Sequence, residues 1–379
     1  MEWNAQMLRE WMDWLLGREL PHVISSQGTL GDTARTDIFT RVYWPTPFLY
    51  GHLQTLIAMT LRNLAWQAHY ERTIVPTPDG GAFGLDWFCC REACERLPES
   101  APVLLVLHSI TGHSNLSFVK SLCTAGYAQG WRPVAMVYRG CEGLKLESPR
   151  PYSQLDTDDV QTAIAGLRNM YPDAPILLAG YSLGAMLVAK YLAEARYNSA
   201  ASGIVAAASV SNPFDLGAAW KRQAAAFPFG LDFFFQYMIV LRFVHYVWRH
   251  WEQLKRIPGI SWPRIVRCRN MMDMDRELSC KALRIKDSDA YYAQSSSFQY
   301  IPKIRTPCLF PVALDDAFIK QLPEKECRGN DCTVMAVTKR GGHCAHLQGL
   351  NPFGPSYLDD TIVLFFKAVL GFKHSTKEE

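Results

Sequence analysis

Short apolar runs alternate with helix-length segments through most of the chain. The runs VLLVL, PVAMV, PILLAG and GIVAAASV begin at residues 103, 133, 175 and 203, and CLFPVA and TVMAV follow at 308 and 333. Apolar residues at successive positions are typical of strands buried on both faces of a parallel sheet. Upstream, two extended runs flank the turn-forming sequence PDGG at 78–81, which predicts a hairpin. The pattern therefore predicts an α/β fold whose sheet is mostly parallel but starts antiparallel.

The segments between the runs have helical spacing. One face of a crossover helix from about residue 157 collects Val160, Ala163, Ile164, Leu167 and Met170. Residues 216–300 contain no strand-like run, so we predict an inserted helical cap there. The predicted organisation is an N-terminal extension (1–43), a first core part (44–215), the cap (216–300), a second core part (301–372) and a flexible tail (373–379).

The first residues of the chain carry an amphipathic pattern. Apolar side chains recur at helical spacing at Trp3, Met7, Trp11, Trp14 and Leu15. Interspersed charges are incompatible with a secretory signal peptide. This helix is expected either to pack on the core or to lie on a membrane surface. No run reaches the roughly 18 apolar residues of a spanning helix. Since the N-terminus does not match a signal peptide, we expect an intracellular protein, cytoplasmic or peripheral to an internal membrane.

Charge and cysteine content narrow the function classes. The 39 basic and 36 acidic side chains leave a net charge of only +3, too small for a nucleic-acid-binding field. Eleven scattered cysteines indicate a reducing compartment rather than a disulfide framework. The pair Cys327 and Cys332, and the group His343, Cys344 and His346, lack a second ligand pair at zinc-finger spacing. We therefore expect no metal and no cofactor.

One pentapeptide carries a catalytic signal. Ser182 lies in Gly-Tyr-Ser-Leu-Gly at 180–184, between an apolar strand and a helical segment. This G-x-S-x-G context is typical of a strand-to-helix turn that exposes a nucleophilic serine above the sheet. A tight turn with no catalytic role is the alternative interpretation of the glycines. The backbone N–H groups of Leu183 and of Ile110, in the loop after the strand at 103, are the predicted oxyanion donors.

Candidate partners for the serine follow later strands in the expected order of acid and then histidine. Asp315 and Asp316 come directly after CLFPVA, and either position suits the acid. His343 lies in a Gly-Gly-His turn after TVMAV and is the predicted base. Pro311 within CLFPVA predicts a bulge or an early strand end, because proline cannot donate to a sheet ladder.

Several segments together resemble a known family, the α/β-hydrolase-domain (ABHD) lipid esterases, in the branch of medium-chain phospholipases, monoacylglycerol lipases and fatty-acyl ethyl ester synthases. The matching segments are YGHLQTL (50–56), PDGGAFGLDW (78–87), HSITGHS (108–114), YRGCEGLKLESPRPYS (138–153), GYSLGAM (180–186), ALDDAF (313–318) and GGHCAHLQG (341–349). The resemblance implies an α/β-hydrolase fold, with Ser182 as nucleophile, Asp315 as acid and His343 as base.

Three functions are compatible with these residues. The first is a serine hydrolase that cleaves acyl esters of lipids through an acyl-enzyme on Ser182. The second is an acyltransferase in which an alcohol replaces water, and the third is a catalytically silent scaffold. The expected partner of an enzyme is a lipid or acyl-ester substrate, with peripheral membrane contact and no nucleic acid. The aromatic residues of 227–248 are expected either to line an acyl tunnel or to pack the cap on the core.

Overall fold

A nine-stranded sheet organises the molecule. The computed structural model describes residues 18–26, 41–47, 49–88, 96–194, 199–225 and 230–375. The strand order is β1-β9-β8-β7-β6-β4-β5-β3-β2. The strands are β1 (His22–Ser25), β2 (Tyr70–Pro76), β3 (Ala82–Phe88), β4 (Val103–Leu107), β5 (Arg132–Val137), β6 (Ile176–Tyr181), β7 (Ile204–Val210), β8 (Cys308–Ala313) and β9 (Thr333–Thr338).

The sheet is parallel through its centre and antiparallel at both edges. Strands β5, β4, β6, β7, β8 and β9 pair in parallel, whereas β2 pairs antiparallel with β3, and β3 with β5. The turn between β2 and β3 is closed by the Thr77 N–H, which donates to the Gly81 carbonyl at 2.9 Å. The predicted α/β fold with an antiparallel start is confirmed.

The central strands are buried on both faces because helices cover both sides. In β4, Leu105 and Leu107 pack in one apolar cluster while Leu104 and Val106 pack in another. Outside the region 216–303 the helices are α1 (Gly51–Met59), α2 (Leu61–Ala65), α3 (Ser117–Tyr127), α4 (Asp158–Met170), α5 (Leu183–Ala193), α6 (Ser199–Ser202), α14 (Glu324–Arg328) and α15 (Tyr357–Ser375). Successive apolar positions in each strand therefore serve two separate cores.

The region between β7 and β8 is helical. It contains α7 (Leu216–Ala225), α8 (Leu231–Arg249), α9 (Trp251–Leu254), α10 (Trp262–Ile265), α11 (Met271–Met274), a π-helical turn (Asp275–Ser279), α12 (Cys280–Leu283), α13 (Ser288–Ser295) and a 3₁₀ helix (Ser297–Lys303). No strand occurs in its described part, 216–225 and 230–303. We call this region the cap. No helix in the described ranges is long and apolar enough to cross a membrane.

The region before α1 contributes to the sheet, which the sequence pattern did not predict. Strand β1 pairs antiparallel with the edge strand β9, and His22 lies opposite Val337. An isolated bridge joins Glu19 to Tyr43. The predicted amphipathic helix of residues 3–15 lies outside the described residues. The edge of β9 is therefore covered by a short antiparallel strand, which removes a free pairing edge.

Candidate active site

Ser182 occupies a strained turn between β6 and α5. Its φ of 55° and ψ of −110° are costly for a residue with a side chain. Both flanking glycines are sterically required. A Cβ on Gly180 would lie 2.3 Å from the Gly184 carbonyl oxygen, and a Cβ on Gly184 would lie 2.5 Å from the carbonyl oxygen of Leu107. The glycines therefore permit the close approach of strand and helix that holds the serine in this conformation.

His343 lies in the loop that follows β9. Gly342 before it has a φ of 60°, and a Cβ there would lie 2.3 Å from the Gly51 carbonyl oxygen. The His343 backbone N–H donates to the hydroxyl of Thr55 on α1 at 2.8 Å. The His343 ring packs against Phe318 with centroids 4.3 Å apart. Contacts from α1 and from the loop after β8 thus fix the imidazole.

Asp316, not Asp315, contacts the histidine. Nδ1 of His343 lies 2.8 Å and 3.0 Å from the two carboxylate oxygens of Asp316. The prediction that Asp315 orients the histidine is therefore wrong, because Asp316 makes the contact with the imidazole instead. Asp315 accepts hydrogen bonds from the backbone N–H groups of Gly51 and Gly342, each at 2.8 Å. Because neighbouring residues in this turn point to opposite sides, one carboxylate holds the backbone and the other faces the imidazole.

Burial and a neighbouring charge shift the pKa of His343 in opposite directions. Its side chain and that of Asp316 are both almost completely buried. Burial is the largest single effect and lowers the pKa of His343, but the attraction of the Asp316 carboxylate together with smaller contributions raises this pKa above its ordinary value. The nearby His346 behaves differently, since burial lowers its pKa to about 4. Its Nε2 lies 3.0 Å from the hydroxyl of Thr338. His346 is therefore a neutral packing residue, and of these two histidines His343 is the one that contacts a carboxylate.

The loop after β4 supplies one wall of the site. Thr111 has a φ of 50°, and its N–H donates to the phenolic oxygen of Tyr152 at 3.0 Å. Further along, Glu142 accepts from both the backbone N–H and the hydroxyl of Ser114, at 3.1 and 2.9 Å. The Arg72 guanidinium in turn forms an ion pair with the Glu142 carboxylate, with nitrogen and oxygen 2.9 Å apart. These contacts pin the loop that contains Ile110.

Four of the five predicted site residues share one cavity. Ser182, Leu183, Ile110 and His343 all line a cavity of about 260 Å³, whereas Asp315 does not. The remaining walls are largely apolar and come from α1, α7, α8 and the helix that includes the π turn. Those lining side chains include Leu56, Met59, Trp220, Phe234, Phe235, Met238, Phe243, Met271 and Leu278. The cap aromatics thus divide between the two predicted roles, since Phe234 and Phe235 line the cavity whereas Tyr246 packs in the core without lining it.

Two contributions to the site had no signal strong enough for sequence reasoning. The segments YGHLQTL and SPRPYS were recognised only as parts of a resemblance. In the structure, Gly51 and Thr55 of the first segment bind the aspartate turn and the histidine backbone. Tyr152 of the second binds the loop after β4. Both contacts join residues far apart in the chain, so no local spacing indicates them.

Comparisons with known proteins agree with this architecture. The sequence profile described as "Alpha/beta hydrolase family" matches residues 103–352. Human phospholipase ABHD3 is 25% identical over 341 residues, which cover 89% of this chain and 81% of that protein. The monoacylglycerol lipase of Saccharomyces cerevisiae is 29% identical over 339 residues, which cover 77% and 73% of the two chains. These similarities confirm the resemblance to the ABHD lipid esterases.

A solved structure gives the same result for the fold. The Pyrococcus furiosus esterase Pf2001 superposes with a TM-score of 0.50 over 85% of this chain and 96% of that chain, at 16% identity. At this identity the likeness concerns the fold alone. The sequence profile, in contrast, covers most of the chain from β4 to the loop after His343. The chain belongs to the alpha/beta hydrolase family.

Proposed function

We propose that the protein is a serine carboxylic-ester hydrolase that cleaves acyl esters of lipids, with Ser182 as nucleophile, His343 as general base and Asp316 as the acid. The observation that carries this proposal is the buried contact of 2.8 Å between Nδ1 of His343 and Asp316, in the cavity that Ser182 also lines. A carboxylate at Nδ1 keeps the proton there and leaves Nε2 free to accept the serine proton.

The reaction then proceeds through an acyl-enzyme. The Ser182 oxygen attacks the ester carbonyl while His343 takes its proton, and the resulting oxyanion accepts hydrogen bonds from the N–H groups of Ile110 and Leu183. Collapse expels the alcohol, which receives the proton from His343. Water activated by the same histidine releases the acid. The N-terminus of α5 lies beneath the serine and favours the negative charge.

The apolar cavity supports a lipid substrate. Leucine, methionine and phenylalanine side chains form a large part of its walls, so an acyl chain loses unfavourable water contact on entry, at roughly 0.8 kcal/mol for each methylene. Two similar proteins are named as a phospholipase and a monoacylglycerol lipase. We therefore assign the acyl chain, rather than the alcohol, to the cavity between α1 and the cap.

Labelling by a fluorophosphonate probe tests the assignment directly. The wild-type protein should be labelled and Ser182→Ala should not. Ser153→Ala should be labelled normally, because Ser153 lines the same cavity but its hydroxyl accepts the Leu155 N–H at 3.1 Å and contacts no histidine among the described residues. Turnover of a soluble p-nitrophenyl ester should fall on the order of 10³-fold or more in Ser182→Ala. Labelling of Ser182→Ala at the wild-type rate would refute the proposed nucleophile. Adding a short alcohol to the assay then measures how much acyl group is transferred instead of hydrolysed.

A further inference from the structure

Exposed apolar side chains cluster on two facing helical segments that also contribute residues to the cavity wall. We call this set the apolar collar. From α1 and α2 it contains Leu53, Leu56, Leu61 and Leu64, and from α8 it contains Leu231, Phe234, Tyr237, Met238, Leu241 and Trp248. Leu64 is 78% exposed and Phe234 is 50% exposed. Leu56, Phe234 and Met238 also line the cavity, so the collar continues into it.

The two sides of the collar are held together where α1 and α8 begin. Nε2 of His52 at the start of α1 lies 2.6 Å from a carboxylate oxygen of Asp232 at the start of α8. The His52 ring also packs on Phe235, with centroids 5.5 Å apart. Ten exposed apolar side chains on helical segments that contact each other favour a binding face over ordinary, scattered solvent exposure.

Charges on the collar helices have one predominant sign. Residues 51–65 contain no Asp or Glu, and Asp232 is the single acidic residue in α8, where it faces His52. Arg242, His245 and Arg249 are exposed on α8. Apolar side chains flanked by arginines match a surface that has anionic groups at its boundary and hydrocarbon beneath.

We propose that the apolar collar docks the protein on the surface of an anionic lipid bilayer, with the cavity mouth between α1 and α8 facing the membrane. This inference rests on the proposed hydrolysis of lipid esters for its purpose but not for its geometry. Docking in this orientation lets an acyl chain pass from the bilayer into the cavity without crossing water.

Vesicle flotation with matched variants tests the collar. Leu64→Asp removes a side chain of the collar that does not line the cavity, and Leu350→Asp changes a leucine of equal exposure, 77%, elsewhere on the surface. With vesicles of phosphatidylcholine and phosphatidylserine, Leu64→Asp should bind about 10-fold more weakly than wild type. Leu350→Asp should bind as wild type does. Arg249→Gln should lose the preference for vesicles that contain phosphatidylserine.

Ester turnover separates this proposal from the proposed function. All three variants should hydrolyse a soluble short-chain ester at the wild-type rate, and Ser182→Ala should float with vesicles although it is inactive. Wild-type flotation of Leu64→Asp would overturn the docking proposal. So would a homodimer that Leu64→Asp dissociates and that does not bind vesicles, because the collar would then face a second copy. An active Ser182→Ala variant that still floats would instead refute the proposed nucleophile alone.

A second inference concerns Tyr152, which faces the cavity from within an aromatic cluster. Its ring stacks on Tyr138 and Phe243, with centroids 5.4 and 6.1 Å away, and meets Tyr246 edge to face at 5.5 Å. Packing on three sides fixes the direction of the hydroxyl. Tyr152 lines the same cavity as Ser182.

The Tyr152 hydroxyl has an unused donor. Its oxygen accepts the Thr111 N–H at 3.0 Å, which leaves the O–H hydrogen available. Among the described residues the structure gives this hydrogen no acceptor, whereas the neighbouring Tyr246 hydroxyl donates to the Arg139 carbonyl at 3.1 Å. Thr111 directly follows Ile110, so the phenol lies beside the predicted oxyanion donor. A fixed donor at this place suits developing negative charge.

We infer that the Tyr152 hydroxyl donates a hydrogen bond to the substrate carbonyl oxygen as it becomes an oxyanion. The phenol would then add a third donor to the N–H groups of Ile110 and Leu183. Its role requires no proton transfer, since the phenolic hydrogen stays on Tyr152 throughout. The Thr111 contact strengthens the donor because an accepted hydrogen bond polarises the hydroxyl.

Turnover and inhibitor affinity test this role together. Tyr152→Phe should lower kcat for a soluble ester about 100-fold with little change in KM, and should weaken binding of a trifluoromethyl ketone, which forms a tetrahedral adduct, by a similar factor. Tyr246→Phe is the matched control and should retain kcat. Replacing Tyr152 with 3-fluorotyrosine makes a better donor but a poorer acceptor, so kcat should be maintained or rise. A lower kcat with 3-fluorotyrosine, or unchanged kcat in Tyr152→Phe, would overturn the inference.

Discussion

The two adjacent aspartates provide a sharp test of the active-site geometry. In Asp316, one carboxylate oxygen accepts the Phe318 backbone N–H at 2.8 Å, and the other lies 2.8 Å from Nδ1 of His343. In Asp316→Asn the carbonyl oxygen stays with Phe318, because an amide nitrogen cannot accept that N–H. The amide NH₂ group then faces Nδ1, which must become the acceptor. His343 therefore carries its proton on Nε2 and no longer accepts the serine proton.

The expected loss follows from this wrong tautomer. A substitution of this kind lowers kcat by about 10⁴-fold in a serine hydrolase triad. Asp315→Asn should behave differently, since one of its two N–H partners, Gly51 or Gly342, loses its acceptor. The cost is then mainly in the free energy of unfolding, about 1–3 kcal/mol for a buried donor left unpaired. We expect kcat to fall far less than in Asp316→Asn.

Steady-state hydrolysis of a soluble ester gives kcat for both variants, and thermal unfolding gives their stability. Asp316→Asn should lose activity while it retains its cooperative unfolding transition. Asp315→Asn should melt at a lower temperature while it keeps most of its kcat below that temperature. A larger loss of kcat in Asp315→Asn than in Asp316→Asn would refute the assignment of the acid, because it would show that the backbone contacts of Asp315 matter more than the imidazole contact.

Three further measurements follow from the structure. Gly184→Ala should unfold at a markedly lower temperature and lose activity, because its Cβ would lie 2.5 Å from the Leu107 carbonyl oxygen. The pH profile of kcat/KM should rise with pH through a midpoint above the ordinary histidine pKa of about 6.5. The reason is that the raised pKa of His343 keeps the base protonated to higher pH. A midpoint below 6 would contradict this. Asp275→Asn should raise the melting temperature at pH 8 but not at pH 4. Burial raises the pKa of Asp275 to about 7. The native state therefore favours the protonated carboxyl, and the stability present below pH 4 is lost as pH rises through 7.

Sequence patterns predicted the strands and the nucleophile turn because both are local. A strand buried on two faces must be apolar at successive positions, and the turn at Ser182 needs glycines at fixed offsets. The helix predicted from about 157 is α4, and Val160, Ala163, Ile164 and Leu167 are buried as expected. Met170 at its last position is 54% exposed, since the chain leaves the core there. Periodicity thus gives the buried face but not the point where a helix leaves the core.

The choice between Asp315 and Asp316 depended on contacts that no sequence spacing reveals. Either residue follows β8 closely enough to reach the histidine. The direction of each side chain is set by the N–H groups of Gly51 and Gly342, which belong to distant segments. Pro311 was predicted to cause a bulge or an early strand end, but β8 runs through it in unbroken register with β9 to Ala313. The pairing of β8 with β7 ends at Leu309, so the missing proline N–H interrupts no ladder there.

Some segments that resemble the ABHD esterases contain no proposed catalytic residue. They hold the cavity walls in place. The buried guanidinium of Arg139 in YRGCEG binds Asp79 of the PDGG turn and Asp159 of α4. The Gly140 carbonyl lies 2.8 Å from Nε2 of His250, so this contact ties the end of α8 to the loop after β5.

Because α8 also forms one wall of the cavity and one side of its mouth, the position of this wall depends on a charge network at its far end. Removing one partner of a buried ion pair leaves an uncompensated charge that costs about 3–5 kcal/mol. A substitution in the YRG or PDGG segment should therefore alter the shape of the cavity, although neither segment contributes a residue to the proposed triad.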